Sequence, residues 1–260
     1  MDKKIIYIRH GERPSIQYDP NILMDWQSSK RYKENLFDEL LTENGHRQSY
    51  ITGLNLHKYV DTKPIKFFYC SPFTRCVETA IHIISALKRP DIKIRIEYGL
   101  HENVALDLNK TLVVENGRIK EKILNYYQDY NGVKHYTSLD KKLKIESLSE
   151  KYKPYIDKNY KSLYSFNDMY YNRSAKIAVK YCINTIKHII ENNDQILIVG
   201  HAGAPFRFMH FYLLKEKYNK MKRDKLDSIT GGYNGLNFVS IYTKSKDKWI
   251  NTLPPRQIFK

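Results

Sequence analysis

Two short apolar segments of this chain each run directly into a histidine that neighbours a glycine. Residues 5–8 precede Arg9-His10-Gly11, and residues 196–199 precede Gly200-His201. Short runs of β-branched and aromatic residues predict buried strands, and polar residues at the carboxyl end of such a strand are candidates for function. If the two strands are parallel neighbours, both imidazoles lie at the same edge of the sheet.

Further strand and helix patterns separate these two segments. The predicted elements are strands over 66–70 and 92–96, helices from Thr42 to about 56, from Pro72 to 87, over about 168–191 and over 206–214, and a terminal hairpin over 235–251. Thr42 and Ser71 are expected to act as N-caps, and the segment 12–35, which contains two prolines, is expected to be loop. The alternation predicts the α/β fold class, a three-layer α/β/α sandwich around a mostly parallel sheet.

The stretch from about 103 to 166 lacks this alternation and is dense in lysine, tyrosine and asparagine. It predicts an insertion of helices and loops that covers the site and forms part of the substrate pocket. Residues 1–260 are therefore expected to form a single domain.

The chain has 44 Lys and Arg residues against 28 Asp and Glu residues, a formal net charge of +16. Such a charge favours anionic ligands, although lysines scattered over a solvated surface explain it equally well. Three cysteines without paired spacing argue against a disulfide framework and a zinc site. No apolar stretch is long enough for a membrane span, and a cytoplasmic protein without metal or cofactor is expected.

Arginines accompany the first histidine and the start of the second predicted helix. Arg9, Arg13 and Arg75 can each donate paired hydrogen bonds to a phosphoryl dianion, a geometry that lysine does not offer. Helix starts near Pro72 and Pro205 would add backbone N–H groups at the same edge. These cations are expected to lower the pKa of His10, which keeps a neutral nitrogen available to attack phosphorus.

Four segments, in this order along the chain, resemble the histidine phosphatase superfamily with its phosphoglycerate mutase-like fold. They are residues 9–13, 41–45 and 71–80, and Gly200-His201-Ala202. Within that superfamily the chain is most similar to the phosphatase domain of the suppressor of T-cell receptor signalling proteins. That resemblance is carried by Arg13, the stretch 97–102, Asp157 and Tyr160 before residues 172–174, and Leu253-Pro254-Pro255.

The resemblance implies a metal-independent phosphomonoester hydrolase that works through a phosphohistidine on His10. Arg9, Arg13, Arg75 and His201 would hold the phosphoryl group, and Glu102 matches the proton donor. The expected partners are phosphate and a phosphorylated small molecule or phosphoprotein, with phosphotyrosine-like and steroid-phosphate-like esters among the candidates. A homodimer is among the assemblies that the resemblance implies, because related domains pair.

Two alternatives stay open. One is a mutase or sugar-phosphate phosphatase of the same fold, and the other is a non-catalytic module that binds phospholigands or nucleic acid. Ala202-Gly203 stands where histidine acid phosphatases carry an aspartate, and Arg13-Pro14 stands where the mutases carry a serine-containing loop. These differences disfavour the activities of histidine acid phosphatases and of mutases. The complete set of candidate catalytic residues disfavours a binding module and nucleic acid as a partner.

Overall fold

Six strands form one mixed sheet in a computed structural model of the chain. They are β1 (Lys4–Arg9), β2 (Phe67–Cys70), β3 (Lys93–Ile96), β6 (Gln195–Gly200), β7 (Phe238–Ser245) and β8 (Lys248–Gln257). The order across the sheet is β3-β2-β6-β1-β7-β8. The structure describes residues 3–17, 19–30, 38–102, 110–115, 118–123, 149–165, 175–193, 195–216, 224–226 and 237–259.

The four strands β3, β2, β6 and β1 are parallel, while β7 and β8 run antiparallel at one side. The prediction of a mostly parallel sheet is therefore confirmed. In the register of β1 and β6, Arg9 lies opposite Gly200. Because the chain leaves both strands at the same level, His10 and His201 emerge side by side at the carboxyl edge.

Helices cover both faces of the sheet. The helices along the chain are α1 (Pro14–Gln17), α2 (Pro20–Ser28), α3 (Glu43–Leu56), α4 (Thr74–Ala86), α5 (Ala175–Glu191) and α6 (Ala204–Leu213). Of these, α3 and α4 pack on one face of the sheet, and α5 and α6 pack on the other. Alternate residues of β1 enter different cores: Ile6 and Ile8 belong to the core under α3 and α4, and Ile5 and Tyr7 belong to the core under α5 and α6. The three-layer α/β/α architecture follows from this alternation.

Two predictions about helix starts and loops are corrected by the structure. Ser71 does not cap a helix, because α4 begins three residues later, at Thr74. The segment after residue 12 is not all loop, since α2 begins at Pro20 with Asp19 accepting a hydrogen bond from the Asn21 N–H. Proline favours the first helical turn, where its missing N–H costs nothing. The Thr42 cap of α3 is as predicted.

The insertion contains strand where helices and loops were expected. Lys110–Glu115 (β4) and Arg118–Ile123 (β5) pair as an antiparallel hairpin, and β4 lies against α2. Residues 149–165 run along the outer edge of the sheet, where Ile156 bridges to Ile94 of β3. The rest of the insertion and the expected helix start near 168 lie outside the described residues.

None of the helices in the described ranges has the length and apolar character that a bilayer crossing requires.

Candidate active site

His10 lies in the loop that follows β1 and is 1% exposed. Its backbone N–H donates to the Gly200 carbonyl at 3.0 Å, which continues the pairing of β1 with β6. Its Nδ1 lies 2.7 Å from the Gly11 carbonyl oxygen. Because a carbonyl only accepts hydrogen bonds, Nδ1 carries the proton of the neutral ring, and Nε2 keeps its lone pair for reaction.

The loop that carries His10 packs directly against α3, and glycine is required on both sides of the contact. A Cβ on Gly11 would lie 2.6 Å from the Gly45 carbonyl oxygen, and a Cβ on Gly45 would lie 2.2 Å from the Glu12 carbonyl oxygen. The Gly11 N–H also donates to Thr79 Oγ1 of α4 at 3.0 Å. The nucleophile candidate is thus fixed against two helices of one layer.

His201 follows β6 and is held through its backbone by a buried phenol. The Tyr7 hydroxyl donates to the His201 carbonyl at 2.8 Å and accepts from the His201 N–H at 2.9 Å. Gly200 leaves room for the phenol, because a Cβ there would lie 2.4 Å from the Tyr7 oxygen. The rings of His10 and His201 have centroids 5.2 Å apart. Both histidines that the sequence singled out therefore face one another.

Arg75 lies in the first turn of α4 and is 1% exposed. Its Nη2 donates to Glu102 Oε2 at 2.6 Å, and its guanidinium carbon is 4.3 Å from the centre of the Phe73 ring. The same Glu102 oxygen lies 3.4 Å from His201 Nδ1. The carboxylate of Glu102 therefore bridges the arginine and the second histidine.

The turn that delivers Glu102 is anchored by a buried carboxylate five residues earlier. Glu97 accepts hydrogen bonds from the Tyr160 hydroxyl and, at 2.8 Å, from Ser162 Oγ. The Tyr98 N–H donates to the same Ser162 oxygen at 3.1 Å. Residues 149–165 thus hold the segment from β3 to Glu102, and Tyr160, noted in the sequence for its family resemblance, contributes to that anchor.

The remaining two candidate arginines differ in their surroundings. Arg9 is 3% exposed, and Glu102, Arg13 and Arg75 are all close enough to influence its charge. Arg13 is half-buried and donates to Glu39, whose carboxylate also accepts from the N–H and Oγ of Ser15. Glu39 was not recognised in the sequence, because nothing in a single carboxylate within a loop indicates its partner.

Burial and positive charge together set the protonation of the site. Burial, then Arg75, His201, Arg9 and Arg13, lower the pKa of His10 well below its usual range. Burial likewise lowers the pKa of His201, with further lowering by Arg75 and Arg13 against an opposing effect of Glu102. Burial lowers the pKa of Arg9 to about 10, which leaves it cationic at neutral pH. Two neutral imidazoles thus lie among charged guanidinium groups.

At Glu102 the effect of burial on the pKa opposes the effect of the neighbouring groups. Burial alone would raise its pKa, but interaction with His201 and with the cations Arg75, Arg13 and Arg9 lowers it far below the usual range. In the absence of substrate this carboxylate is therefore ionised. The cations around Glu102 outweigh its burial, so the proton that a donor at this position requires is absent from the free site.

Asp38 is a residue of the site region that the sequence did not reveal. It is fully buried and accepts hydrogen bonds from the N–H and Oγ1 of Thr74, both at 2.7 Å. It thereby supplies the N-terminal cap that Ser71 was expected to supply. Since Thr74 directly precedes Arg75, this cap also fixes the start of the helix that carries the arginine.

Asp38→Ala is expected to lower the free energy of unfolding by roughly 1–3 kcal/mol, because two hydrogen bonds to a buried charged group are lost. The measurement is a urea denaturation curve. Asp91→Ala, which removes an exposed carboxylate paired with Arg89 at 2.6 Å, is the control and should leave the midpoint nearly unchanged. Equal midpoints for the two variants would show that Asp38 does not stabilise α4.

Other polar features of the described residues lie apart from this cluster. A groove of about 680 Å³ opens at the opposite edge of the sheet, where Lys3, Lys4 and Lys66 are balanced in part by Asp61 and Glu191. The described part of the chain contains no group of three or more His, Cys, Asp or Glu side chains arranged to hold a metal ion. His46 and His82 lie on α3 and α4, with ring centroids 4.6 Å apart.

Comparison with known proteins gives the same fold. Residues 5–157 match the family model of the histidine phosphatase superfamily, branch 1. No curated protein sequence matches the chain. Among solved structures, the ecdysone phosphate phosphatase of Bombix mori in complex with tungstate has a TM-score of 0.57 at 19% identity, over 97% of this chain and 92% of that one.

Two further solved structures have the same architecture. A putative α-ribazole-5'-P phosphatase of Escherichia coli K-12 has a TM-score of 0.50 at 14% identity, over 99% of both chains. A mycobacterial glucosyl-3-phosphoglycerate phosphatase in complex with VO3 has a TM-score of 0.50 at 13% identity, over 96% of this chain and 97% of that one. At such identities the likeness concerns the fold.

Proposed function

The chain belongs to the histidine phosphatase superfamily and is an enzyme of the phosphatase type, and we propose that it hydrolyses phosphomonoesters through a phosphohistidine on His10 without a metal ion. The observation that carries the proposal is the state of His10. Its proton is held on Nδ1 by the Gly11 carbonyl, burial and nearby cations keep the ring neutral, and Nε2 is left to react. A neutral imidazole nitrogen among cations is suited to attack a phosphoryl group.

In the first step Nε2 of His10 bonds to phosphorus while the bond from phosphorus to the ester oxygen breaks. Negative charge is spread over the phosphoryl oxygens, and fixed cations around them stabilise that charge. Arg9, Arg13 and Arg75 supply guanidinium groups near His10, and the centroid of the His201 ring lies 5.2 Å from that of His10. The proposal assigns the phosphoryl-binding role to these four residues.

Glu102 is assigned the proton transfers. The departing alkoxide or phenoxide must gain a proton, and a carboxyl group near the ester oxygen can supply it. In the free site Glu102 is ionised and bound to Arg75. A phosphoryl dianion neutralises the same cations, which raises the pKa of Glu102, so that the carboxylate takes up a proton from solvent as substrate binds and then passes it to the leaving group.

In the second step the phosphohistidine is hydrolysed and free His10 is restored. After the alcohol leaves, Glu102 is again a carboxylate and accepts a proton from water as the water oxygen bonds to phosphorus. The bond from phosphorus to Nε2 of His10 breaks, and inorganic phosphate is released. One carboxylate therefore serves first as an acid and then as a base.

The substrate class is proposed from the resemblance and the fold. We propose that the chain is closest to the suppressor of T-cell receptor signalling phosphatases and takes aromatic or steroid phosphomonoesters. The similar structure from Bombix mori is described as an ecdysone phosphate phosphatase, which supports testing steroid phosphates beside phosphotyrosine peptides. We further propose one domain over residues 1–260, with the segment 103–166 contributing to the substrate pocket.

The proposed function is tested by trapping the intermediate. With para-nitrophenyl phosphate and EDTA present, we expect steady release of phosphate. An alkaline quench should preserve one phosphoryl group on the peptide that contains His10, because phosphohistidine survives base and decomposes in acid. Mass spectrometry locates the group.

Three outcomes would contradict the proposal: an acid-stable phosphoester, a phosphoryl group confined to another residue, or activity that EDTA abolishes. A parallel incubation with 3-phosphoglycerate separates the mutase alternative. Sustained isomerisation without release of phosphate would show that transfer between substrate oxygens, rather than hydrolysis, is the reaction.

A further inference from the structure

The ring of His201 has polar neighbours at both of its nitrogen atoms. Ser71 Oγ lies 2.8 Å from Nε2, and Glu102 Oε2 lies 3.4 Å from Nδ1. Ser71 is fully buried in the loop between β2 and α4. Its expected role as a helix cap is excluded by the start of α4 at Thr74. Its side chain therefore has another role.

These two neighbours decide which nitrogen of His201 carries the proton. An ionised carboxylate attracts an N–H and repels a nitrogen lone pair, so the 3.4 Å contact with Glu102, although it lacks hydrogen-bond geometry, favours a proton on Nδ1. With the proton on Nδ1, the lone pair of Nε2 needs a donor. The hydroxyl of Ser71 is placed to donate to it, and the Cys76 thiol, 3.5 Å away, is a second and weaker donor.

Ser71 is itself fixed by its backbone. Its N–H donates to the Val199 carbonyl at 3.0 Å, which continues the pairing of β2 with β6 beyond the end of β2. The following residue is Pro72, whose ring restricts the backbone. The hydroxyl is thus attached to the edge of the same sheet that positions His201, and the two side chains keep a constant separation.

We propose that Ser71 is a positioning residue that holds His201 in the tautomer with its proton on Nδ1, so that this N–H faces Glu102 and the transferred phosphoryl group. The inference rests on the proposed function, because it assigns the purpose of that N–H to phosphoryl binding. The hydrogen bonds of an active-site histidine commonly fix its tautomer and ring orientation, and their loss lowers activity strongly. The Tyr7 hydroxyl fixes the His201 backbone, and Ser71 fixes its ring.

The tautomer is read directly from the imidazole nitrogen chemical shifts of the intact protein at neutral pH, with no substrate present. We expect a protonated Nδ1 and an unprotonated Nε2 for His201 in the wild-type protein. Ser71→Ala should move these shifts toward a mixture of tautomers. Ser240→Ala is the matched control, because Ser240 is a fully buried serine on β7 that donates to the Leu253 carbonyl at 3.2 Å.

Activity provides the second readout. Ser71→Ala should lower kcat/KM for para-nitrophenyl phosphate by about ten- to a hundredfold, while Ser240→Ala should change it by less than about twofold. In a His201→Ala background the Ser71→Ala substitution should cost little more, because its effect passes through the absent ring. A purely structural role would give the same loss in both backgrounds.

The proposal is overturned if Nε2 is the protonated nitrogen of wild-type His201, or if the losses from Ser71→Ala and His201→Ala multiply. These results are separate from the failure of the proposed function. If the wild-type protein forms no phosphohistidine, the nitrogen shifts still report the tautomer of His201. If the wild-type His201 has its proton on Nε2, trapping of a phosphoryl group on wild-type His10 still tests the proposed function.

Discussion

His10→Ala is expected to reduce turnover of para-nitrophenyl phosphate at least about thousandfold, because no other group takes over the attack on phosphorus. Alanine removes Nε2 and also the hydrogen bond that Nδ1 makes with the Gly11 carbonyl at 2.7 Å. The measurement is kcat from phosphate release with EDTA present. The trapped phosphoryl group on the peptide containing His10 should disappear together with the activity.

A second substitution distinguishes loss of the nucleophile from loss of the fold. His10→Asn keeps an amide N–H that can donate to the Gly11 carbonyl, but it offers no nucleophilic nitrogen, so it should be as inactive as the alanine variant. His57→Ala changes an exposed histidine at the end of α3 and should retain wild-type turnover. If either His10 variant keeps more than about a tenth of the rate, His10 is not the nucleophile.

The placing of His10 beside His201 is predictable from the sequence, because both histidines directly follow buried strands. The runs at 5–8 and 196–199 are apolar and β-branched, so their burial in the sheet follows from the sequence. Their parallel pairing then places His10 and His201 at the same edge, as the register of Arg9 with Gly200 shows. Strand ends are the part of an α/β fold where local sequence predicts three-dimensional proximity most directly.

Contacts between distant segments were not predictable in the same way. Asp38 caps α4 from a loop before α3, and Glu39 binds Arg13, yet neither carboxylate has a local pattern that indicates its partner. Ser71-Pro72 has the local pattern of a helix start, but the helix begins at Thr74, where Asp38 accepts hydrogen bonds from the Thr74 N–H and hydroxyl. Tertiary hydrogen bonds overrode the local preference.

The hairpin of β4 and β5 was missed although the sequence contains a signal for it. Residues 111–114 are rich in β-branched side chains, and Asn116-Gly117 is the dipeptide that two-residue hairpin turns favour. The density of lysine and tyrosine around this segment obscured the pattern. The register places Glu115 opposite Arg118, which agrees with a connection of two residues.

The charge of Glu102 could not be inferred from the sequence either, because it depends on distances. Glu102 Oε2 is 2.6 Å from Arg75 Nη2 and 3.4 Å from His201 Nδ1. In the free site the Glu102 carboxylate is therefore hydrogen-bonded to Arg75, the same guanidinium group that is proposed to bind phosphate. Substrate and Glu102 must compete for Arg75, and the side chain that later donates the proton first has to release the arginine.

Glu102→Gln is therefore expected to have two opposite effects. kcat should fall by about 10²- to 10⁴-fold, because the amide neither protonates the leaving group nor activates water. Affinity for tungstate, measured calorimetrically, should rise by about tenfold or more, a gain of at least ~1.4 kcal/mol, because a neutral amide competes weakly for Arg75 and does not repel the anion. Aliphatic phosphomonoesters should lose more rate than para-nitrophenyl phosphate, whose phenolate leaves without help.

Glu150→Gln is the matched control, since Glu150 is an exposed carboxylate that pairs with Lys153 at the surface. Its turnover and tungstate affinity should equal those of the wild type. The two effects of Glu102→Gln are separable because they arise from different states of the site. Full kcat would remove Glu102 from proton transfer. Unchanged affinity for tungstate would show that anion binding does not require Glu102 to leave Arg75, and the carboxylate and the phosphoryl group would then share that guanidinium throughout the reaction.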